Sequence, residues 1–194
     1  MTPHPGVAWG FIPDTMKKRV LCLLSDGFEE VEFVTPVDIL RRAGVEVVSA
    51  GMKERMATGR NGIRIEADVM IDDVDPLSFD LLFLPGGPGV GALREDGRAA
   101  GIARDFHDAG KLVAAICAAP LILKDAGLLE GRSFTAFHSV RDELGDGVVE
   151  ARVVEDGNLI TSRGAGTALE FALALAAALA GSATAVRVSE EIMV

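Results

Sequence analysis

The segment that most constrains the fold is residues 111–123, KLVAAICAAPLIL. Its five consecutive apolar residues, Leu112–Ile116, predict a buried β-strand. Small residues then surround Cys117, and Pro120 falls in the first turn of a predicted helix, where its missing N–H costs least. A strand that turns abruptly into a helix around one residue pushes that side chain out of the sheet, as in the serine-centred elbow of hydrolases.

Cys117 is the candidate reactive residue of this segment. Free N–H groups at the start of a helix favour an anion, so we expect its thiolate to form more readily than in water. The alternative interpretation is a buried, inert cysteine that packs as a small hydrophobic residue. The turn, the alanines and the helix start coincide at Cys117 and favour the reactive interpretation. Cys22, within the predicted strand Arg19–Leu24, is expected to be a core residue.

Composition limits the classes of protein that fit. A chain of 194 residues predicts one domain, and a formal net charge of -10 argues against nucleic acid or an anionic membrane surface as the main partner. Two cysteines and no Cys-x-x-Cys motif give neither a disulfide framework nor a zinc site. No apolar run reaches the length of a membrane span. Residues 1–15 lack the pattern of a signal peptide, so we expect a flexible extension before a single domain at 16–194, and a cytoplasmic protein.

Strands and helices alternate along the predicted domain. Apolar runs predict strands at residues 19–24, 45–50, 81–84, 112–116, 133–137, 148–154 and 159–162, with helices between most of them. This alternation predicts a mostly parallel α/β sheet covered on both faces, with its site at the carboxyl ends of the strands. Those ends carry residues 25–32, Gly86 and Gly87, Cys117, and His138.

The helix after the first strand ends at Gly44, but its start has two interpretations. Either Pro36 begins the helix, or Pro36 lies inside a helix that begins near Glu29. In the second case Glu32 falls on the apolar stripe, where its carboxyl must be paired or carry a raised pKa. In the first case Glu32 lies in a solvated loop, and the sequence favours neither.

Five motifs occur in a characteristic order, namely DGFEEVE at 26–32, LPGG at 84–87, VAAICAAP at 113–120, FH at 137–138 and TSRGAGTALEFAL at 161–173. This order resembles the ThiJ/PfpI superfamily over residues 18–188, and most of all its parkinsonism-associated protein deglycase (DJ-one) branch. The resemblance implies a flavodoxin-like three-layer sandwich with a cysteine nucleophile elbow. It also implies a homodimer that uses no organic cofactor and no metal.

The same resemblance implies roles for individual residues. Cys117 is expected to be the nucleophile, Glu32 to hydrogen-bond its sulfur, and His138 to lie nearby. Around them we expect the N–H groups of Gly86, Gly87 and Ala118, and the side chains of Arg60 and Arg163. Three residues depart from the family pattern: Ser139 and Ala165 stand where some members have proline, and Ala119 stands where glycine is common. The first two affect the expected position of His138 and the pocket rim.

The function implied is cysteine chemistry on 2-oxoaldehydes. The hypothesis is a glyoxalase that converts methylglyoxal to lactate, or a deglycase that acts on glycated side chains. The alternative is a redox sensor or chaperone-like protective protein that uses the same cysteine. A glutaminase or peptidase fits less well, because His138 is the only histidine after Cys117 and Val140 stands where a His-x-Glu pair would need its acid.

Overall fold

The computed structural model describes residues 17–194. Within this range the strands are β1 Arg19–Leu24, β2 Glu46–Gly51, β3 Met56–Thr58, β4 Arg64–Glu66, β5 Val69–Met70, β6 Leu81–Leu84, β7 Leu112–Ile116, β8 Val153–Asp156 and β9 Leu159–Ser162. The helices are α1 Glu30–Arg42, α2 Val90–Asp96, α3 Arg98–Asp108, α4 Pro120–Asp125, α5 Arg141–Leu144, α6 Ala168–Ala180 and α7 Ser182–Glu191. The predicted N-terminal extension, residues 1–15, lies outside the described residues.

Seven strands form the central sheet in the order β5-β2-β1-β6-β7-β9-β8. All neighbours in it are parallel except β8, which runs antiparallel to β9. Strands β3 and β4 form a separate antiparallel hairpin. The mostly parallel sheet predicted from the sequence is therefore confirmed. None of the helices in residues 17–194 is long and apolar enough to cross a membrane.

Alternate residues of the central strands supply two cores, one on each face of the sheet. Leu21 and Leu23 of β1 join the core under α2, α3 and α4. Their neighbours, including Cys22, join the core under α1, α6 and α7. Cys22 is completely buried, which confirms its prediction as a core residue. The result is three layers with the sheet in the middle, because a parallel sheet must be covered on both sides.

Helix α1 settles the position of Glu32. It begins at Glu30 and carries Pro36 in its interior, so the interpretation with a helix starting near Glu29 is confirmed. Glu32 is consequently helical, and only 1 % of its surface is exposed. This helix directs a carboxyl into the protein at the carboxyl end of β1.

The predicted strand at residues 133–137 is wrong. Phe134, Thr135 and Ala136 are buried, but the segment forms one isolated bridge, between Phe134 and Val148. The N–H of Thr135 donates to Thr161 Oγ1, and the N–H of Phe137 donates to the Cys117 carbonyl. The hydrogen bonds that a neighbouring strand would accept from these N–H groups are thus accepted by the Thr161 side chain and by the carbonyl of the turn residue Cys117. The predicted strand at 148–154 is shorter in the structure and begins only at Val153.

Candidate active site

Cys117 lies in the turn between β7 and α4, where the sequence predicted a sharp corner. Its φ of +67° is uncommon for a residue other than glycine. Two backbone hydrogen bonds, each of 2.9 Å, hold Cys117 in this conformation. Its N–H donates to the Ser162 carbonyl, and its carbonyl accepts from the N–H of Phe137. Only 8 % of the residue is exposed. The surrounding backbone therefore maintains a conformation that costs free energy, as often occurs at functional sites.

Glu32 reaches the same place from α1. Its Oε2 accepts a hydrogen bond of 3.1 Å from the N–H of Gly86, at the end of β6. A Cβ atom built on Gly86 would lie 2.4 Å from Glu32 Oε2 and 2.5 Å from Cys117 Cβ. The carboxyl and the thiol thus lie on either side of Gly86, and each affects the pKa of the other. The pairing of Glu32 with Cys117 agrees with the sequence-based expectation.

Burial, together with the charge of Glu29, raises the pKa of Glu32 from 4.5 to a net value of about 7. The Cys117 thiol and the N–H groups of Gly86 and Ala165 offset part of this effect by hydrogen bonding. A carboxyl with a pKa near neutrality is suited to accept and return a proton during a reaction. Glu32 is therefore a candidate general base and acid.

Burial and the Glu32 carboxylate raise the pKa of Cys117 to about 12. The N–H groups of Gly87 and Ala118 act in the opposite direction but do not reverse it. The expectation that the thiolate forms more readily than in water is therefore wrong while Glu32 is ionised. Near pH 7 the Glu32 carboxyl is close to half protonated, and when the pair holds a single proton, the two groups share that proton and one negative charge as a coupled unit. Transfer of that proton to Glu32 produces the thiolate.

The loop after β6 is locked against the turn after β1. The Gly86 carbonyl accepts from the N–H of Glu29 at 2.9 Å, and the N–H of Gly89 donates to the Gly27 carbonyl at 3.0 Å. At Gly87, which has a φ of +101°, a Cβ atom would lie 2.4 Å from the Gly27 oxygen. This close approach keeps the Gly87 N–H near the sulfur. The N–H of Gly86 was expected to face the substrate site as well, but it donates its hydrogen bond to Glu32 Oε2.

Arg60 interacts with Glu29, which in turn affects the reactive pair. Its Nε is 3.3 Å from Oε2 of Glu29, and its N–H donates to the Phe28 carbonyl at 2.9 Å. Glu29 in turn raises the pKa of Glu32. The structure therefore connects Arg60 to Glu32 through Glu29.

His138 and Arg163 lie in a neighbouring cleft of about 480 Å³. Here the cleft is called the arginine cleft, and its lining is Ala136, Phe137, His138, Arg141, Glu150, Arg152, Arg163 and residues 164–167. His138 is exposed, and its ring centroid lies 4.1 Å from that of Phe137. Cys117 is not among the lining residues. His138 directly follows Phe137, whose N–H donates to the Cys117 carbonyl, and the His138 residue lines the arginine cleft.

The sequence analysis missed several residues of this region. Arg141, Glu150 and Arg152 line the arginine cleft but belong to no motif, since loops separate them from Arg163. Glu30 was missed as well: its carboxylate accepts from the N–H and side-chain amide of Asn61, at 2.7 and 2.9 Å. The pair of glutamates that opens α1 was the available signal. Among residues 17–194, no group of three or more His, Cys, Asp or Glu side chains is placed to hold a metal ion.

Fold and site together define a flavodoxin-like α/β protein with a buried cysteine–glutamate pair at the carboxyl end of its parallel sheet. The profile of the DJ-1/PfpI family matches residues 18–178, and the chain belongs to this family. Protein dj-1beta of Drosophila melanogaster is 40% identical over 185 residues, which cover 92% of this chain and 98% of that protein. Its crystal structure has a TM-score of 0.88, with 92% of this chain and 99% of that chain covered. Deglycase PfpI of Pyrococcus furiosus is 38% identical over 148 residues, covering 75% of this chain and 89% of that protein.

Proposed function

We propose that this chain is a cysteine-dependent deglycase that acts on adducts of 2-oxoaldehydes and converts methylglyoxal to lactate. The observation that carries the proposal is the pairing of Cys117 with Glu32, whose carboxyl has a pKa near 7. Such a pair supplies a nucleophile and the base that activates it. The relative from Pyrococcus furiosus that is named a deglycase supports the same chemistry.

The first step forms a carbon–sulfur bond. The Glu32 carboxylate accepts the proton of the Cys117 thiol while the sulfur adds to the aldehyde carbon of methylglyoxal. The aldehyde oxygen takes this proton back from Glu32, which becomes a carboxylate again, and the product is a hemithioacetal on Cys117. The N–H groups of Gly87 and Ala118 face the sulfur and lower the pKa of the thiol. They are therefore the donors best placed to stabilise the developing oxyanion.

The later steps move protons and add water. Glu32 transfers a proton from the first substrate carbon to the second, and the hydroxyl proton of the first carbon passes to the ketone oxygen, which turns the hemithioacetal into a lactoyl thioester. Water then cleaves the carbon–sulfur bond and releases lactate and the free thiol. On an adduct of methylglyoxal with a thiol or amine, Cys117 displaces that group, which leaves with a proton. His138 is the second candidate for proton transfer.

A role as a redox sensor or chaperone-like protective protein is the alternative. Rapid oxidation requires an accessible thiolate. Cys117 is 8 % exposed and its pKa is raised, so the site favours chemistry in which the substrate reaches a thiol that Glu32 activates. The same low exposure disfavours a peptidase, because a polypeptide backbone must approach its nucleophile closely.

A homodimer is part of the proposal. Val31 and Val34 on α1 and Ile63 on the hairpin are apolar side chains that are about half exposed. The N–H of Ile63 donates to Glu30, so these residues lie near one another. Such a patch is suited to pairing with a second copy. Sedimentation equilibrium measures the assembly directly.

The test follows methylglyoxal loss and lactate formation in the wild type and three variants. We expect Cys117→Ala to abolish turnover and Glu32→Gln to lower kcat at least 100-fold, since the activating base is lost. Cys22→Ala is the matched control, because it removes the other buried thiol, which packs in the core. We expect turnover to persist in this variant. Normal lactate formation by Cys117→Ala would refute the proposal. No turnover by the wild type, with ready oxidation of Cys117 by peroxide, would support the protective role.

A further inference from the structure

We propose that the arginine cleft selects substrates that carry a carboxylate on the part of the adduct remote from the reacting carbon. The inference rests on the proposed deglycase function and adds a substrate class to it. The ligand in question is a small adduct of a 2-oxoaldehyde with a thiol or amine, of about the size of an amino acid derivative.

The cleft is locally basic in an acidic protein. Arg141, Arg152 and Arg163 line it together with one acidic residue, Glu150, so its lining carries a formal charge of +2 (three positive, one negative). The whole chain carries -10. Positive charge concentrated in a concave site of a negative protein is suited to bind an anion.

Glu150 shows how a carboxylate fits. Its Oε1 is bonded to Nη1 of Arg141, and its Oε2 lies 3.6 Å from Nη1 of Arg163. Guanidinium groups recognise carboxylates through such paired contacts. The Glu150 side chain is nevertheless 74% exposed, and exposed ion pairs are weak. A substrate carboxylate therefore has a position to occupy between two arginines when Glu150 swings outwards.

Arg152 has a different role. It donates to Glu170 Oε2 at 2.6 Å and to the Gly166 carbonyl at 2.8 Å, so its charge is largely engaged. Arg141 is anchored by its Nε on the Ala136 carbonyl at 3.2 Å, and its Nη1 becomes available to a substrate anion when Glu150 swings outwards. The carboxylate site is accordingly assigned to Arg141 and Arg163.

The cleft adjoins the reactive pair along a shared wall. A Cβ atom on Gly164, in the cleft lining, would lie 3.6 Å from Glu32 Oε1. Phe137, also in the lining, donates its N–H to the Cys117 carbonyl. A volume of about 480 Å³ falls in the range of small-molecule sites. An adduct whose aldehyde carbon reaches Cys117 can thus extend its other end into the cleft.

The test compares two hemithioacetals of methylglyoxal that differ only in charge, those of N-acetylcysteine and of N-acetylcysteine amide. We expect kcat/KM of the wild type to favour the carboxylate at least fivefold. Arg141→Met should reduce this ratio to near one, whereas Glu150→Gln should raise it by lowering KM for the anionic adduct. Arg187→Met is the matched control, because it removes an arginine paired with Glu191 on α7, and the ratio should stay as in the wild type.

A binding measurement separates this inference from the proposed function. The Cys117→Ala protein is titrated calorimetrically with N-acetyl-S-methylcysteine and with its amide, neither of which reacts. Tighter binding of the acid, lost in Cys117→Ala/Arg141→Met, would support the site even if no adduct is turned over. Equal binding of acid and amide, or a wild-type kcat/KM ratio of one, would overturn it. Turnover with a ratio of one would leave the deglycase proposal standing and refute only the carboxylate site.

Discussion

Gly86 stands between the two reactive side chains, and a hydrogen atom is the only substituent that fits its position. A Cβ atom there would lie 2.8 Å from the Ile116 carbonyl as well as within 2.5 Å of Glu32 and Cys117. We expect Gly86→Ala to lower the free energy of unfolding by about 1–3 kcal/mol through overpacking and to reduce turnover more than tenfold. Urea unfolding and lactate assays measure the two effects.

Gly101 provides the control for this substitution. It lies inside α3 with no atom within 4 Å of its hypothetical Cβ. Gly101→Ala should therefore stabilise the protein by up to about 1 kcal/mol, because alanine has the higher helix propensity. If Gly86→Ala were as stable and active as this control, the close contact of Glu32 and Cys117 would be wrong.

Glu32 also makes stability depend on pH. Its pKa is about 7 in the folded protein against an ordinary 4.5, so the folded state holds this proton more tightly than the unfolded chain. The resulting stabilisation is complete below about pH 4.5 and is lost as the pH rises through 7. The change is on the order of 3 kcal/mol. We expect the free energy of unfolding to fall between pH 5 and pH 8 more in the wild type than in Glu32→Gln. Parallel pH profiles would contradict the raised pKa.

The residues of the pair could be named from the sequence, but their protonation could not. The corner at Cys117 follows from an apolar run, small residues and Pro120, all of which are local. The pKa of its thiol depends on burial and on Glu32, which is 85 positions earlier in the chain (117 minus 32). Since the local pattern contains neither, it predicted a readily formed thiolate, whereas burial and Glu32 raise the pKa of the thiol.

At the scale of elements, Glu30 joins α1 to the β3–β4 hairpin. Its carboxylate accepts from Asn61 and from the N–H of Ile63 at 3.3 Å, and the residue is 5 % exposed. Glu30→Ala leaves these donors without their partner. We expect a loss of about 1–3 kcal/mol in the free energy of unfolding, and at least tenfold faster hydrogen exchange at the Asn61 and Ile63 amides.

Asp38→Ala is the comparison for Glu30, since Asp38 lies on the same helix. Its carboxylate pairs with Arg42 one turn away, and both side chains are about half exposed. Removal of such a pair should cost only about 0.2–0.5 kcal/mol and leave exchange in the hairpin unchanged. Equal effects of the two substitutions would show that Glu30 does not anchor the hairpin.

Apolar runs sufficed to predict most strands, because parallel strands are buried on both faces. The bounds of β1, β6, β7 and β9 agree with those predicted. Residues 133–137 also contain apolar residues but extend over the turn at Cys117, where Thr161 and Cys117 take their hydrogen bonds. Only the tertiary structure contains that information. The start of α1 was open for a similar reason, since Pro36 is compatible with either the first turn or a kinked interior.

At the scale of the whole molecule, one sheet joins two cores. Phe171 of α6 packs on Phe83 with ring centroids 5.8 Å apart, and Phe106 of α3 is fully buried in the core on the other face. We expect Phe171→Ala and Phe106→Ala each to cost about 3–5 kcal/mol. Both variants should still unfold in one transition, because the strands contribute to both cores.

Circular dichroism and native-state hydrogen exchange check this expectation. The chain has one tryptophan, Trp9, and no tyrosine, and Trp9 is outside the described residues, so these two methods are used in place of intrinsic fluorescence. Two separated transitions in either variant would contradict a single cooperative unit. Composition could predict the size of the core but not the basic cleft, since a net charge of -10 conceals arginines that the fold gathers from positions 141, 152 and 163.

The two edge strands of the central sheet affect whether folded molecules can pair strand to strand at high concentration. On one side β5 is two residues long and is followed at once by the 3₁₀ turn Ile71–Asp73. On the other side β8 carries Glu155 and Asp156, and the latter is engaged by Arg132 and by the N–H of Ser133. A short or charged margin is a poor template for strands of another chain. Among the described residues, these two edge strands therefore disfavour amyloid-like strand addition to the folded protein.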